Sequence, residues 1–361
     1  MAFLCLVALV LDNNNTCFNN NQKKQRVFYK GCCKHEKLKK HFYNQQQYSF
    51  FMKPNYVDSE ETLESYKKAG KLASQALHYG ASLIIPDAKV VDILDSIEEF
   101  ILKKKEEDPL YGIAFPPQIS INDVAAHFCP EEDGETIIQK DDVVKLDVGA
   151  HHNGFIGDNA LTINPSKKYQ ELVDAARNAL ESAIKIAGPG VPLSKAGLAI
   201  EKEASKKGFQ PVRNLSGHGV GQYLIHTKPS VPNFDTKDES IVFEENHVYA
   251  IEPFVTNGQG LIYSGEYATI FSLKRDKNVR SAFGREALKI IKSFNGLPFT
   301  TRWLSKKLGM GKTKFALREL LLNDILDAYP PLPEQGRGLV AQAENTILIT
   351  KTGCEILTKK D

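Results

Sequence analysis

The stretch DDVVKLDVGAHHNGFIGDNALTIN, residues 141–164, consists of two β-rich runs on either side of an Asn153-Gly154 dipeptide. An Asn-Gly dipeptide between hydrophobic runs predicts a β-hairpin. Asp147 and Asp158 lie on the two runs, and the midpoint between them falls inside the turn. Folding about that midpoint places the carboxylates directly opposite one another, roughly 5 Å apart at Cβ. Two such carboxylates repel, so they either bind a cation or face solvent on an edge hairpin.

Two predicted helices and an extended segment precede this hairpin. Asp58 and Glu61 form a start that resembles a capping box, and the helical spacing of apolar residues ends near Gly80. The second helix follows Pro86, with its apolar residues on one face. The segment YGIAFPPQISIND, residues 111–123, is typical of a strand.

The same order of elements returns in the second half of the chain. A long amphipathic helix, a shorter helix and a β-rich run with a second Asn-Gly turn occupy residues 167–187, 193–208 and 247–258. Aligning Pro86 with Pro192 gives an offset of 106 residues, and aligning Asp147 with Glu252 gives 105. The agreement favours an α+β fold with two duplicated halves and a site between them, rather than a chance resemblance.

Charge and composition divide the chain further. Residues 1–51 carry a net charge of +6 and residues 272–320 carry +10, which leaves −14 for the rest of a chain whose total is +2. Residues 1–51 also contain a low-complexity, Asn-rich run, and we predict a disordered extension or an upstream reading of the gene there, with a leader segment as the alternative. The basic segment is predicted to form short helices, as an inserted helical subdomain at 272–335 within a catalytic domain at 52–361.

The cysteine positions and the hydropathy of the chain indicate the cellular compartment of the protein. Four of the six cysteines fall within the first 33 residues, and no disulfide framework is implied. The apolar opening MAFLCLVALVL is too short to span a bilayer and lacks the features of a secretory signal. We therefore expect a protein of the cytoplasm that does not associate with a membrane.

Two further acidic residues and one histidine extend the aspartate pair. Glu252 in YAIEPF and Glu344 in AQAENTILI each lie in an apolar β-type run, where burying an unpaired charge is costly. His218 lies among three glycines in NLSGHGVGQY, and these glycines are expected to let the backbone pass close to a metal centre. One imidazole and four carboxylates suit Mn, Fe or Co, with Zn as a further option. Four carboxylates exceed what one ion needs, so we predict two divalent ions.

Five segments together carry a family resemblance. They are AFPPQISINDVAAHF, DDVVKLDVGAHHNGFIGDNA, NLSGHGVGQYLIHTKPSVPNF, YAIEPFVTNGQG and AENTILI. In this order they resemble the motifs of the methionine aminopeptidases, which are metallopeptidases of the pita-bread (creatinase/aminopeptidase) fold, over residues 52–361. The 92 residues between Glu252 and Glu344 resemble the type II enzymes, whose inserted subdomain is winged-helix-like, and specifically their archaeal form.

The resemblance implies roles for the five candidate ligands. Asp147 would bind one ion, His218 and Glu252 the other, and Asp158 and Glu344 would bridge both. It also implies that a water or hydroxide shared by the two ions removes the N-terminal methionine from nascent polypeptides, with a preference for a small second residue.

The same resemblance implies the residues that contact substrate. His226 would donate to the developing oxyanion, and His127 would position the substrate above the metal site. Phe115 and Ile225 would line the pocket for the methionine side chain. Glu252 would also carry a proton. On sequence alone, His127, Phe115 and Ile225 could equally be core residues.

Partners and competing functions follow from the same observations. The expected partners are nascent polypeptide N-termini and, through the basic insert, the ribosome; a simple solvated basic face is the alternative. We expect a monomer. An Xaa-Pro aminopeptidase or prolidase of the same fold is the nearest enzymatic alternative, and a pita-bread protein that only binds a partner is the alternative from another class.

Overall fold

The computed structural model describes residues 55–360. The helices are α1 (Glu60–Leu83), α2 (Val90–Glu107), α3 (Gln170–Ile186), α4 (Leu193–Ser205), α5 (Ala282–Lys292), α6 (Thr301–Leu308) and α7 (Met310–Leu322). The strands are β1 (Tyr111–Ile121), β2 (Val144–His152), β3 (Phe155–Ile163), β4 (Gln210–Pro211), β5 (Ser216–Gly221), β6 (Leu224–Pro232), β7 (Val248–Ile251), β8 (Phe254–Thr256), β9 (Ile270–Leu273), β10 (Phe299–Thr300), β11 (Leu326–Tyr329), β12 (Val340–Gln342), β13 (Glu344–Ile349) and β14 (Cys354–Ile356). The predicted disordered extension, residues 1–51, lies outside the described residues.

An eight-stranded antiparallel sheet organises these elements. Its strand order is β1-β2-β3-β13-β7-β5-β6, and β14 pairs with β13. The first three strands belong to the first half of the chain, and β13, β7 and β5 repeat them in reverse order from the second half. The two halves therefore meet where β3 pairs with β13. This arrangement agrees with the predicted α+β fold of duplicated halves.

One pair of helices covers each half of the sheet. Helices α1 and α2 pack on β1, β2 and β3, and their apolar stripes enclose one core. Helices α3 and α4 pack together over a second core that includes Tyr249 and Ile347 of the sheet. The predicted start of α1 was wrong by one residue. Ser59 is the N-cap and accepts from the backbone N–H of Thr62, and the helix continues past Gly80 to Leu83.

The register of the β2–β3 hairpin differs from the prediction. His152 pairs with Phe155, so Asn153 and Gly154 form a two-residue turn in which both φ angles are positive, +50° and +81°. Asn and Gly are the residues that tolerate this left-handed backbone. The turn centre consequently lies one residue later than the midpoint of Asp147 and Asp158. The two aspartates are diagonal rather than directly opposite, although they share one face of the sheet.

The basic segment forms a separate helical cluster. Helices α5, α6 and α7 pack against a three-stranded sheet of order β10-β9-β11, around a core of their own. Arg302 of α6 is fully buried and pairs with Asp95 and Glu98 of α2, so the cluster is fixed to the first half. Within residues 55–360, no helix is long and apolar enough to cross a membrane.

Helix α1 approaches β3 so closely that a methyl group cannot fit between them. A Cβ added to Gly157 would lie 2.6 Å from the Cα of Gly70. We expect Gly157→Ala to lower the free energy of unfolding by about 1–3 kcal/mol, because the backbone would have to shift. Urea unfolding measures this change. Gly188→Ala is the control, since its Cβ would meet nothing closer than 3.5 Å; equal loss in both variants would contradict the prediction.

Candidate functional site

Five neighbouring strands of the large sheet each place one candidate ligand on the same face. Across β2, β3, β13, β7 and β5 these residues are Asp147, Asp158, Glu344, Glu252 and His218. Glu252 directly follows β7, and His218 pairs with Ala250 of that strand. The structure therefore brings together all five residues that the sequence indicated, at the floor of one cavity of about 390 Å³.

Three of the four carboxylates at this floor have an oxygen atom without a hydrogen-bond partner. Asp147 Oδ1, Asp158 Oδ1 and Glu344 Oε1 are buried without one. His218 Nε2 lies 3.8 Å from Asp158 Oδ2 and 3.6 Å from Glu252 Oε1, which is beyond hydrogen-bond length. Buried oxygen atoms that converge without donors are the environment that a divalent cation satisfies. The donor set therefore fits a metal ion, and one ligand atom each from Asp158, His218 and Glu344 lie within 4.8 Å of one another.

The electrostatics of these residues agree with this interpretation. Burial raises the pKa of Asp147 to about 7. Burial, followed by repulsion from neighbouring carboxylates, raises the pKa values of Asp158, Glu252 and Glu344 well above their usual range. Burial lowers the pKa of His218 to about 3, so its imidazole is neutral and can act as a ligand. Four carboxylates held this close are unfavourable unless positive charge is bound among them.

The four residues predicted to contact substrate also line the cavity: Phe115, His127, Ile225 and His226. His226 faces the cavity from β6, with its ring edge-on to that of His218 and 4.5 Å between ring centroids. His127 has a left-handed backbone, φ +67°, and its backbone N–H donates to the side chain of Gln118 at 2.8 Å. Burial lowers the pKa of His127 to about 4. Burial also lowers the pKa of His226, so the imidazoles of His127 and His226, which border the carboxylate floor, both favour the neutral form.

The glycines around His218 serve a different purpose from the one expected. A Cβ on Gly217 would meet the carbonyl of Ala250, and a Cβ on Gly219 would meet Thr227 and Asn55. These contacts are with the neighbouring strands and with the segment before α1. The expectation that they bring backbone to the metal centre was therefore wrong: they let three segments pack closely, and this packing fixes His218.

Four other residues at the site were not foreseen from sequence. Gly149 pairs with Phe115 and with Asp158, and a side chain there would collide with the Phe115 ring. Gln342 donates to Glu252 at 3.4 Å and to Glu344 at 3.5 Å. Gln342 precedes Glu344 by two residues, which is the one sequence signal that would have suggested it. No sequence pattern marks Gln118 or Tyr329, and Tyr329 reaches the cavity from the predicted insert at 272–335.

Comparison with known proteins identifies the family. Residues 64–351 match the model of metallopeptidase family M24. The methionine aminopeptidase of Thermococcus onnurineus is 40% identical over 296 residues, which cover 82% of this chain and 99% of that protein. The methionine aminopeptidase of Archaeoglobus fulgidus is 39% identical over 301 residues, or 83% and 99% of the two chains. The crystal structure of the methionine aminopeptidase of Thermotoga maritima superposes with a TM-score of 0.61 at 25% identity, covering 84% and 99%. The chain therefore belongs to metallopeptidase family M24 and, within it, to the methionine aminopeptidases.

Proposed function

We propose that the protein removes the N-terminal methionine from polypeptides in a reaction that requires divalent metal ions, and that it prefers a small second residue. The observation that carries this proposal is the cavity itself. Its floor holds four buried carboxylates, three of them with an oxygen that has no hydrogen-bond partner, and its wall holds apolar Phe115 and Ile225. A charged floor beside an apolar wall suits a peptide bond next to an unbranched thioether side chain.

The five candidate ligands would hold two divalent ions of Mn, Fe, Co or Zn. We assign Asp147 to one ion, His218 and Glu252 to the other, and Asp158 and Glu344 to both. When bound, two such ions lower the pKa of a shared water molecule and so supply a nucleophile near neutral pH. Gln342 donates from its side-chain amide to one oxygen each of Glu252 and Glu344, and would thereby orient both carboxylates toward the ions.

The remaining residues of the cavity would position the peptide and move protons. The His226 ring N–H would donate to the oxygen of the scissile carbonyl as negative charge develops on it. His127, whose backbone is held by Gln118, would orient the first residue of the substrate. Phe115 and Ile225 would contact the methionine side chain. The Glu252 carboxylate would accept a proton and deliver it to the leaving amine.

Peptide hydrolysis by metal-free protein, with Mn, Fe, Co or Zn returned separately, tests the proposal. We expect Met-Ala-Ser to be cleaved after methionine only when a metal is present, and bulky residues at the second position to reduce the rate. Release of the first residue from Xaa-Pro peptides, with Met-Ala-Ser left intact, would instead support the prolidase alternative. Tight metal binding without hydrolysis of either peptide would support a protein that only binds its partner.

We also infer that the basic segment steers the enzyme toward ribosomal RNA. Lys306 and Lys314 are paired with Asp95 and Glu131, whereas Lys307 is exposed and Lys312 lies over the Phe283 ring. Neutralising Lys307 and Lys312 should therefore reduce co-sedimentation with ribosomes and weaken its salt dependence, by roughly one unit of slope per lost phosphate contact. Neutralising Lys306 and Lys314 is the matched control. Unchanged binding in the first variant would contradict the inference.

We propose in addition that the enzyme acts as a monomer in the cytoplasm. The cysteine pattern of the sequence and the position of the whole candidate site within one chain support this proposal. Sedimentation equilibrium and cell fractionation test the two statements separately.

A further inference from the structure

Strand β6 forms one wall of the cavity and lies at the end of the large sheet. Among the described strands it pairs only with β5, so its outer edge is not covered by another strand of that sheet. Ile225, His226, Lys228 and Ser230 of this strand all line the cavity. His226, Lys228 and Ser230 are exposed, and Thr227 between them also lines the cavity, so this strand contributes several polar side chains to the cavity wall.

Lys228 differs in charge from the other residues that line the cavity. Of the described residues that line the cavity, it is the only lysine or arginine. No ion pair between Lys228 and a carboxylate is found within residues 55–360, whereas many lysines elsewhere on this surface are paired. The four carboxylates of the floor are assigned to the metal ions. Lys228 therefore offers an uncommitted positive charge at the border of a site that accepts a peptide.

The order of side chains along β6 gives the direction of the bound peptide. Ile225 contributes to the apolar wall assigned to the methionine side chain, and His226 follows at the scissile carbonyl. Lys228 lies two residues beyond His226, or about 6.7 Å along a strand. An extended peptide advances by nearly the same distance over two residues. The long side chain of lysine can also reach the next peptide position. The third and fourth residues of the substrate consequently come within reach of Lys228.

We propose that Lys228 forms a subsite that selects polypeptides with an acidic side chain at the third or fourth position. This inference rests on the proposed function, because the peptide is oriented by that function. The chemistry recognised is a carboxylate, and the C-terminal carboxylate of a short peptide could supply it equally well. Peptides with an amidated C-terminus remove that second source.

The test compares amidated peptides that begin with Met-Ala and carry Asp, Ser or Lys at both the third and fourth positions. We expect the metal-loaded enzyme to prefer the Asp peptide over the Lys peptide by about 2–5-fold in kcat/KM, through KM, as fits one exposed ion pair. Lys228→Glu should reverse the order, Lys228→Met should abolish it, and 0.5 M salt should weaken it. Lys237→Met, at an exposed lysine paired with Asp235, is the matched control and should keep the wild-type ratio.

A second measurement separates this proposal from the proposed function. Binding of the same peptides with D-methionine at the first position, followed by fluorescence anisotropy, reports the charge preference without turnover. An acid preference in binding that Lys228→Glu reverses supports the subsite, even if no peptide is hydrolysed. Equal Asp-to-Lys ratios in the wild type and in Lys228→Glu, in both kinetics and binding, would overturn it while leaving methionine removal intact.

Discussion

Replacing His218 with alanine should lower kcat/KM for a Met-Ala-Ser peptide by about 10³-fold, which corresponds to roughly 4 kcal/mol of transition-state stabilisation. His218 is the only nitrogen donor among the five candidate ligands, and its neutral Nε2 faces Asp158 and Glu252. The other ring nitrogen, Nδ1, lies 3.2 Å from the carbonyl oxygen of Gly219. Loss of the ring should therefore weaken metal binding strongly while the metal-free fold is kept.

Metal titration distinguishes this effect from a general loss of activity. Calorimetry with Mn²⁺, or the visible absorption of Co²⁺, should show weakened binding in His218→Ala and no change in His78→Ala. His78 lies on α1, where its Nδ1 is 2.8 Å from the backbone oxygen of Ser74 in the same helix. Metal affinity and turnover that match the wild type in His218→Ala would refute the ligand assignment.

The second large effect concerns stability. Arg302 is fully buried between Asp95 and Glu98, and the Glu98 side chain is 8% exposed. We expect Arg302→Met to lower the free energy of unfolding by about 3–5 kcal/mol, because it leaves the Glu98 carboxylate buried without a cation. Denaturant unfolding measures the change. The exposed neighbour Lys306 pairs with Asp95 as well, and Lys306→Met should cost less than about 1 kcal/mol.

The pH dependence of this variant provides an internal check. Burial raises the pKa of Glu98 above its usual value of 4.5, and Arg302 opposes that rise. Without Arg302 the carboxyl pKa rises further, so the folded state binds a proton more tightly than the unfolded state. The destabilisation should then be small near pH 4.5 and grow as the pH rises through the folded-state pKa. A double variant, Arg302→Met with Glu98→Leu, should recover much of the loss; no recovery would show that packing, rather than charge, is lost.

The site could be located from the sequence because its chemistry requires charged residues within apolar strands, where they are rare. Burying a glutamate within an apolar strand is costly, so residues such as Glu252 and Glu344 indicate a function. The repeat of elements at an offset of 105–106 residues also placed Asp147 and Glu252 in equivalent positions of the two halves. All nine predicted site residues line one cavity. Their individual roles remain predictions until they are measured.

Details that depend on register or on distant contacts could not be read from the sequence. A hairpin register depends on the type of turn, and the positive φ angles of Asn153 and Gly154 shifted it by one residue. The environment of Gly217 and Gly219 could not be predicted, because a glycine that faces a metal and a glycine that faces a neighbouring strand look the same in the sequence. Tyr329 lies in the predicted insert at 272–335, and only the three-dimensional packing of β11 brings it to the cavity.

The pairing of β3 with β13 determines when the site can form during folding. Thr346 of β13 exchanges two hydrogen bonds, both 2.8 Å, with the backbone of Asp158 across a separation of 188 residues. Closing so long a loop is slow and depends on both halves being in place. Asp158 and Glu344 therefore stay apart on the nascent chain until the second half has been made and has docked on the first. We expect the candidate metal site to form late in folding, once the two halves have docked, so that metal binding would report that docking.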